Sequence, residues 1–394
     1  MKQKLIRITT VPISLDKLLE GQFAFMKKYY EVIGVSSDGE ILGHVAKKEG
    51  IKVIPIEMSR KITPFKDLKA VWQLYRFFKK EQPFIVHSHT PKAGIVGMLA
   101  AKLASVPNRL HTVAGMPLLE ATGLKRKVLN VVEKLTYSCA TKVYPNSYGL
   151  KEIILKYNFV KSSKVKVIGN GSSNGINTSY FNPKLFSQTQ NERLRQQLGI
   201  DKKEFVFIFV GRLVGDKGLN ELIAAFKKLQ NTSLLTFYPE RSRRAHFSLL
   251  LVGSLETDLD PLKKETLQEI ECNPAIITVG YQQDVRPYFA ISNTLVFPSY
   301  REGFPNVVMQ AGAMGLPSIV TNINGCNEII KDGYNGVLIP PKSVEALLKA
   351  MEMVLVNKDK IDEMSLVCRG YVEEKYEQKK VWEAILEEYR ALEK

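Results

Sequence analysis

The chain repeats one pattern twice, and that pattern leaves few folds open. Short runs rich in β-branched and aromatic residues fall at 5–9, 32–35, 53–56, 84–87, 109–113, 142–144 and 165–168. Segments with helical spacing, such as 68–80 and 93–104, separate them. Strands that alternate with helices predict a parallel sheet covered on both faces. A polar stretch rich in Gly, Asn and Ser, 169–177, interrupts the alternation. It restarts at 205–210, 247–252, 276–279, 295–297, 318–320 and 336–339. A length of 394 residues exceeds what one compact core usually serves. The pattern therefore predicts an α/β protein of two doubly wound Rossmann-like domains, residues 1–174 and 175–374. Val381, Trp382, Ile385, Leu386 and Leu392 recur at helical spacing. They predict a long helix over 371–394 whose last part, from about 375, packs back on the first domain.

Two loops of the second half carry chemistry. The run 294–297 leads into a Gly/Pro loop, 302–305. A helix then opens at Asn306 and closes at Gly315-Leu316-Pro317. A helix start behind such a loop offers free N–H groups and positive dipole to an anion. Glu302, and Gln310 about one turn into the helix, suit sugar hydroxyls. The run 205–210 ends in Gly211-Arg212-Leu213 and Asp216-Lys217-Gly218, ahead of a helix with Leu222, Ile223, Phe226 and Leu229 on one face. The carboxyl end of such a strand is where doubly wound sheets bind ligands. Arg212 and Lys217 place two cations there. A solvated surface pair is the plainer reading of an Arg and a Lys, but two phosphate-suited loops at equivalent strand ends favour a sugar nucleotide.

Charge is distributed unevenly. Residues 1–175 hold 29 Lys and Arg against 12 Asp and Glu, whereas the remainder holds 27 against 28. All of the excess in a net charge of +16 thus lies in the first half and predicts a large anionic partner. The basic residues group as Lys61, Lys66, Lys69, Arg76, Lys79 and Lys80, then Lys125, Arg126, Lys127 and Lys134. The second group follows a short apolar loop, Met116-Pro117-Leu118-Leu119. Apolar tips flanked by cations suit a protein resting on an anionic leaflet, at ~1 kcal/mol per near-surface Lys or Arg. No zinc, RNP-type or helix-turn-helix signature points to nucleic acid.

No stretch approaches the ~20 apolar residues of a spanning helix, and Met1-Lys2-Gln3-Lys4 leads into a strand-like run rather than a secretory signal. Cys139, Cys272, Cys326 and Cys368 lie far apart and read as small buried hydrophobes in a reducing compartment. The expected location is cytoplasmic, peripheral at the inner face of the membrane. Asp258-Leu259-Asp260 has the spacing of a metal-binding pair, yet it precedes Pro261 and an acidic helix. A solvated loop or helix N-cap is the better reading. No metal and no cofactor beyond the sugar nucleotide is expected.

Gly211-Arg212-Leu213, Lys217-Gly218 and Glu302-Gly303-Phe304-Pro305-Asn306 together resemble the family 4 retaining glycosyltransferases of GT-B architecture, in which two Rossmann-like domains face a cleft. Val167-Ile168-Gly169-Asn170-Gly171 with Tyr180-Phe181-Asn182-Pro183 resembles the family's interdomain segment. Ile85-Val86-His87-Ser88-His89 resembles its strand-end histidine motif, and Leu250-Leu251-Val252-Gly253 its second-domain strand. The matches span nearly the whole chain and are nearest to bacterial enzymes that build capsule, O-antigen or other glycans on polyprenyl diphosphate.

The resemblance implies a UDP-sugar donor and a lipid-linked or oligosaccharide acceptor held by the first domain. It assigns Arg212 and Lys217 to the donor phosphates and Glu302 to the donor sugar. Gly211, Gly253, Gly303, Phe304, Pro305, Asn306 and Val307 would line the donor site, with backbone N–H groups near sugar and phosphate. His89 would lie near the transferred sugar and His111 near the acceptor. The family's second glutamate, which receives the ribose, is Gln310 here; its carbonyl still accepts hydrogen bonds, without the charge. The usual glycine-rich loop after the first strand is replaced by Val11-Pro12-Ile13-Ser14. Two other readings stay open: a sugar-nucleotide epimerase or hydrolase of the same architecture, and a non-catalytic sugar-nucleotide-binding protein.

Overall fold

The computed structural model describes residues 2–59, 61, 63–119, 121–232, 247–257 and 260–394. The chain forms two compact units, Met1–Gly175 with Gln378–Lys394, and Ile176–Glu377. The first is built on six parallel strands, β1 (Lys4–Ile8), β2 (Glu31–Ser36), β3 (Lys52–Pro55), β4 (Ile85–Ser88), β5 (Asn108–Val113) and β6 (Lys142–Pro145), in the order β3-β2-β1-β4-β5-β6. Its helices are α1 (Pro12–Leu18), α2 (Gln22–Met26), α3 (Glu40–Glu49), α4 (Pro64–Glu81), α5 (Pro91–Leu103), α6 (Gly123–Cys139) and α7 (Tyr148–Lys156), plus the terminal helix Gln378–Arg390.

Neighbouring strand residues enter opposite cores. Ile6, Ile8 and Val86 pack with Leu74, Phe78, Met98 and Tyr137 of α4–α6. Leu5, Val32 and Ile85 pack with Leu15, Phe23 and Val45 of α1–α3 and Ile385 of the terminal helix. Burial on both faces is why these strands read as unbroken apolar runs.

The second unit repeats the plan. Its strands are β7 (Phe205–Val210), β8 (Phe247–Val252), β9 (Ile276–Thr278), β10 (Thr294–Phe297), β11 (Ser318–Thr321) and β12 (Gly336–Ile339), in the order β12-β11-β10-β7-β8-β9. Around them lie α8 (Gln188–Gln197), α9 (Leu219–Gln230), α10 (Lys264–Cys272), α11 (Arg286–Ala290), α12 (Asn306–Ala313), α13 (Cys326–Ile329), α14 (Val344–Val356) and α15 (Lys358–Tyr376).

Several expectations need correction. Residues 165–168 form no strand: Val165 makes one bridge to Val143, and Gly169 (φ +55°) then turns the chain away. The long terminal helix is two helices. Glu377 takes φ −55°, ψ 132° because its backbone pairs with Ile176, and α15 ends there. The loop at 116–119 is not an exposed apolar tip, since Met116 and Leu118 are buried. Exposed apolar surface lies instead on α4 (Phe65, Leu68, Trp72) and α6 (Leu124, Val128, Val131, Leu135). Of the cysteines, Cys272 is exposed and the other three are buried. Among the described residues no helix is long and apolar enough to cross a membrane.

Candidate active site

In each sheet the winding reverses once, between β7 and β10 in the second unit and between β1 and β4 in the first. Outside the carboxyl ends of strands at such a reversal, flanking loops diverge and leave room for a ligand. Polar groups concentrate at both places.

In the second unit, residues 211–218 follow β7 and residues 298–305 follow β10. The two loops are pinned together. Gly218 takes φ +74°, and a Cβ on it would lie 2.1 Å from the Pro298 carbonyl oxygen, so a side chain would push the turns apart. The Tyr300 N–H donates to the Asp216 carbonyl at 2.9 Å, and Arg301 Nη2 reaches Asp216 Oδ2 at 3.1 Å. Within this frame Lys217 Nζ lies 2.5 Å from Glu302 Oε1. The same oxygen accepts from Ser299 Oγ at 2.8 Å. Directly after Glu302, α12 begins behind Pro305 with no side-chain cap. Its first N–H groups therefore lack acceptors within the helix and mark its positive end.

The remaining candidates of this unit are placed less uniformly. Arg212 is exposed and pairs with Glu256 at 2.9 Å, not with Glu302. The Phe304 ring is buried edge-on against Tyr376, 5.3 Å between centroids, so its backbone is what remains for a ligand. Pro305 is buried, Gly303 and Val307 are half-buried, and Asn306 is exposed. Gly211 and Gly253 meet backbone to backbone: a Cβ on Gly253 (φ +151°) would lie 1.8 Å from the Gly211 carbonyl oxygen. Gln310 is half-buried, and its side chain forms no hydrogen bond among the described residues. Of the expected carboxylate pair, Asp258 lies outside the described residues. Asp260 is neither a free loop carboxylate nor an N-cap. It accepts the Asp216 N–H on its side chain and the Gly215 N–H on its carbonyl, and so braces the Lys217 turn.

The first unit's cluster is buried. Arg7 on β1 and His87 on β4 are register partners, and His89 follows at the end of β4. Arg7 Nε donates to His89 Nε2 at 3.2 Å, and Nη1 donates to Gln22 Oε1. His87 joins Tyr389 at 2.6 Å and Thr112 at 2.7 Å. Burial and the neighbouring Arg7 cation hold His87 and His89 well below the usual histidine range. His111 lies elsewhere. Its Nδ1 meets Ser88 Oγ at 2.8 Å, its ring packs near Tyr137, and burial lowers it to about 4. The structure gives His111 a packing place beside α5.

Comparison with known proteins decides the family. Residues 190–368 match the glycosyl transferases group 1 model, and residues 31–171 match the glycosyl transferase 4-like domain. The Staphylococcus aureus capsular polysaccharide biosynthesis glycosyltransferase CapM is 34% identical over 97% of this chain and 96% of its own length. The chain belongs to the family 4 glycosyltransferases. An Escherichia coli UDP-Gal:alpha-D-GlcNAc-diphosphoundecaprenol alpha-1,3-galactosyltransferase is 32% identical over 80% of this glycosyltransferase and 77% of its own length. A Rickettsia africae glycosyltransferase structure shares the fold at TM-score 0.80, covering 100% and 99% of the two chains at 20% identity. The UDP complex of Anabaena HepE does so at 0.80, covering 99% and 100% at 18% identity.

In the glycosyltransferase, the structure brings Lys217, Glu302 and the start of α12 together. It leaves Arg212 paired at the rim and separates His111 from His89. Sequence reasoning missed Arg7, Gln22 and Tyr389. The available signal was Arg7, a charge inside an apolar strand.

Proposed function

We propose that this glycosyltransferase moves a sugar from a UDP-linked donor to a polyprenyl-diphosphate-linked or oligosaccharide acceptor. Anomeric configuration is retained, no metal ion is needed, and the protein works against an anionic membrane face. The observation that carries this reading is the Lys217–Glu302 pair beside the uncapped start of α12. It sets a cation and N–H groups for phosphate next to a carboxylate for hydroxyls. The E. coli relative, named for UDP-galactose, and the Anabaena complexes with UDP and UDP-glucose support the donor class. Relatives named for diphospho-undecaprenol acceptors support the acceptor class.

In the free protein Lys217 and Glu302 satisfy each other. With donor bound, the ammonium turns to the diphosphate and the carboxylate to the sugar. As the bond from C1 to the diphosphate oxygen breaks, negative charge grows on the leaving phosphate. Lys217, Arg212 and the N–H groups of α12 stabilise it. The acceptor hydroxyl bonds to C1 on the same face, and its proton passes to the departing phosphate oxygen. This geometry keeps the anomer.

Membrane contact rests on α4 and α6. Phe65, Leu68 and Trp72 recur at helical spacing, as do Leu124, Val128, Val131 and Leu135. All seven are exposed, and both helices pack on α5. Exposed Lys66, Lys69, Lys125, Lys127 and Lys134 accompany them, the combination that favours an anionic leaflet. Arg126 is held inward by the Leu118 carbonyl and the Tyr157 ring.

UDP release from a panel of UDP-sugars, with and without a lipid-diphosphate-linked acceptor and in EDTA, tests the reaction. Release should require the acceptor and persist in EDTA. Equal release without acceptor would make the protein a hydrolase or epimerase, and loss in EDTA would remove the metal-free mechanism. Sedimentation with phosphatidylglycerol vesicles, but not phosphatidylcholine vesicles, tests the surface. Serine at both Leu124 and Val131 should lower partition roughly tenfold or more. Wild-type protein that stays in the supernatant would end the membrane part.

A further inference from the structure

Arg7 is a cation with no exposed surface and no carboxylate partner among the described residues. Burying an uncompensated charge is costly, so its place inside β1 calls for a reason. Its bonds supply one. The guanidinium only donates, so His89 Nε2, which receives Nε–H at 3.2 Å, must carry a lone pair. That places the imidazole's proton on Nδ1 and excludes the imidazolium. His89 Nδ1 has no hydrogen-bond partner and is fully buried. So are Arg7 Nη2, Asn146 Oδ1 and Ser173 Oγ, and all four residues line one cavity of about 20 Å³. That volume suits a single oxygen atom. The residues that line the cavity thus carry two unpartnered donors and two unpartnered acceptors.

Arg7 is itself held. Gln22 Oε1 accepts from Nη1, while Gln22 Nε2 donates to Asn174 Oδ1 at 2.9 Å. Trp382 Nε1 donates to the same Asn174 oxygen at 2.7 Å.

We propose that Arg7 is a positioning residue for glycosyl transfer: it locks His89 as the neutral Nδ1–H tautomer and aims that N–H at a pocket for one substrate hydroxyl oxygen. The proposal rests on the reading that His89 works beside the transferred sugar. Arg7 does not touch substrate; it acts through the histidine. The groups facing His89 are Arg7 on β1 and His87 on β4, with Tyr389 of the terminal helix and Tyr144 of β6 on His87; His111 on β5 packs against Ser88 and Tyr137 and acts on His89 only through its charge. None is an acid, so nothing there favours a second proton on the ring.

Histidine-labelled protein examined by long-range ¹H–¹⁵N correlation reads the tautomer directly. In wild type, His89 should show a protonated Nδ1 and a bare Nε2, unchanged from pH 6 to 8. Arg7→Met should lower kcat on the order of 10²-fold with donor KM within about threefold. It should also mix the tautomers and add an acid limb to the rate profile, because removing a cation lets the imidazole accept a proton at higher pH. Arg7→Lys, which can still donate to Nε2, should recover at least tenfold of the loss. A wild-type His89 protonated on Nε2 overturns the proposal even if every variant fails to fold. So does Arg7→Met with wild-type kcat. Full turnover in His89→Ala would instead overturn the reading of His89 and leave the tautomer assignment standing.

Discussion

The two units share one winding plan and treat charge in opposite ways. In the second unit, the cations of the strand-end loops each face a carboxylate: Arg212 with Glu256, Lys217 with Glu302, Arg301 with Asp216. In the first unit, Arg7 is sealed against neutral histidines and amides. The surfaces reverse this order. The second unit carries balanced charge, whereas the first carries the whole basic excess. Paired cations at a rim can be exchanged for a ligand's charge, because each partner keeps access to water when the pair opens. A buried, unpaired cation is fixed and can only orient what touches it. Binding and release of a charged donor suit the first arrangement, and holding one ring still suits the second.

Lys217→Ala should give the largest effect on the exchangeable side. Turnover should fall on the order of 10²–10³-fold, the usual consequence of removing one preorganised donor from a developing anion. Unfolding free energy should shift by only about 1–2 kcal/mol, since Ser299 still donates to Glu302. Steady-state UDP release and urea unfolding measured on the same protein separate the two. A turnover loss matched by unfolding would mean that the pair is structural and would erase the contrast.

Acid should strike the sealed side first. His111 is held at about 4 in the folded protein against its ordinary 6.5, so the unfolded chain takes the proton first. The stability that this depression provides is complete above pH 6.5 and drains away as pH falls toward 4, by about 3 kcal/mol for this group. His87 and His89 act in the same direction. Buried Glu133, held up by burial, acts in the opposite direction above its ordinary value. In the second unit, Asp284 is held below 3.8 by Arg286, so its contribution is lost only at still lower pH. Both tryptophans, Trp72 and Trp382, belong to the first unit. The urea midpoint read by tryptophan fluorescence should therefore drop between pH 7 and 5, while the remaining transition seen by circular dichroism holds. Parallel loss of both transitions would break the comparison.

What was legible in the sequence follows the range of the interactions. Most strands announced themselves because burial on both faces demands continuous apolar runs. The α12 start was legible for the same local reason, since Gly303, Pro305 and Asn306 fix a turn and a helix within a few residues. Glu377 carried no such mark: what breaks the helix there is pairing with Ile176, some 200 residues away. Arg212 looked like a partner of Lys217 because both follow β7, and only the fold reveals Glu256 beside it. The Arg7 cluster was hidden for the same cause. His89 is 82 residues from Arg7 and Tyr389 is 302 from His87, distances over which no local pattern speaks.

Gln310 offers the smallest effect and the finest test of the comparison. It projects from α12 four residues after the helix begins, half-buried and without a hydrogen bond among the described residues. The first unit satisfies its buried amide Gln22 three times over. An amide left free beside a paired site is a group waiting for a ligand. If it receives ribose hydroxyls, Gln310→Glu replaces a neutral acceptor by a charged one, a gain of about 1 kcal/mol per bond, or roughly fivefold in affinity. The ribose does not react, so the gain should appear in KM for the donor with kcat within about twofold. Added sodium chloride should leave it largely intact, because the site is half-buried. A variant that instead binds donor more weakly would mean that the amide's N–H groups, and not its carbonyl, face the nucleotide. In that case the absence of charge at 310 is part of how this site admits a diphosphate whose own charge must already displace Glu302 from Lys217.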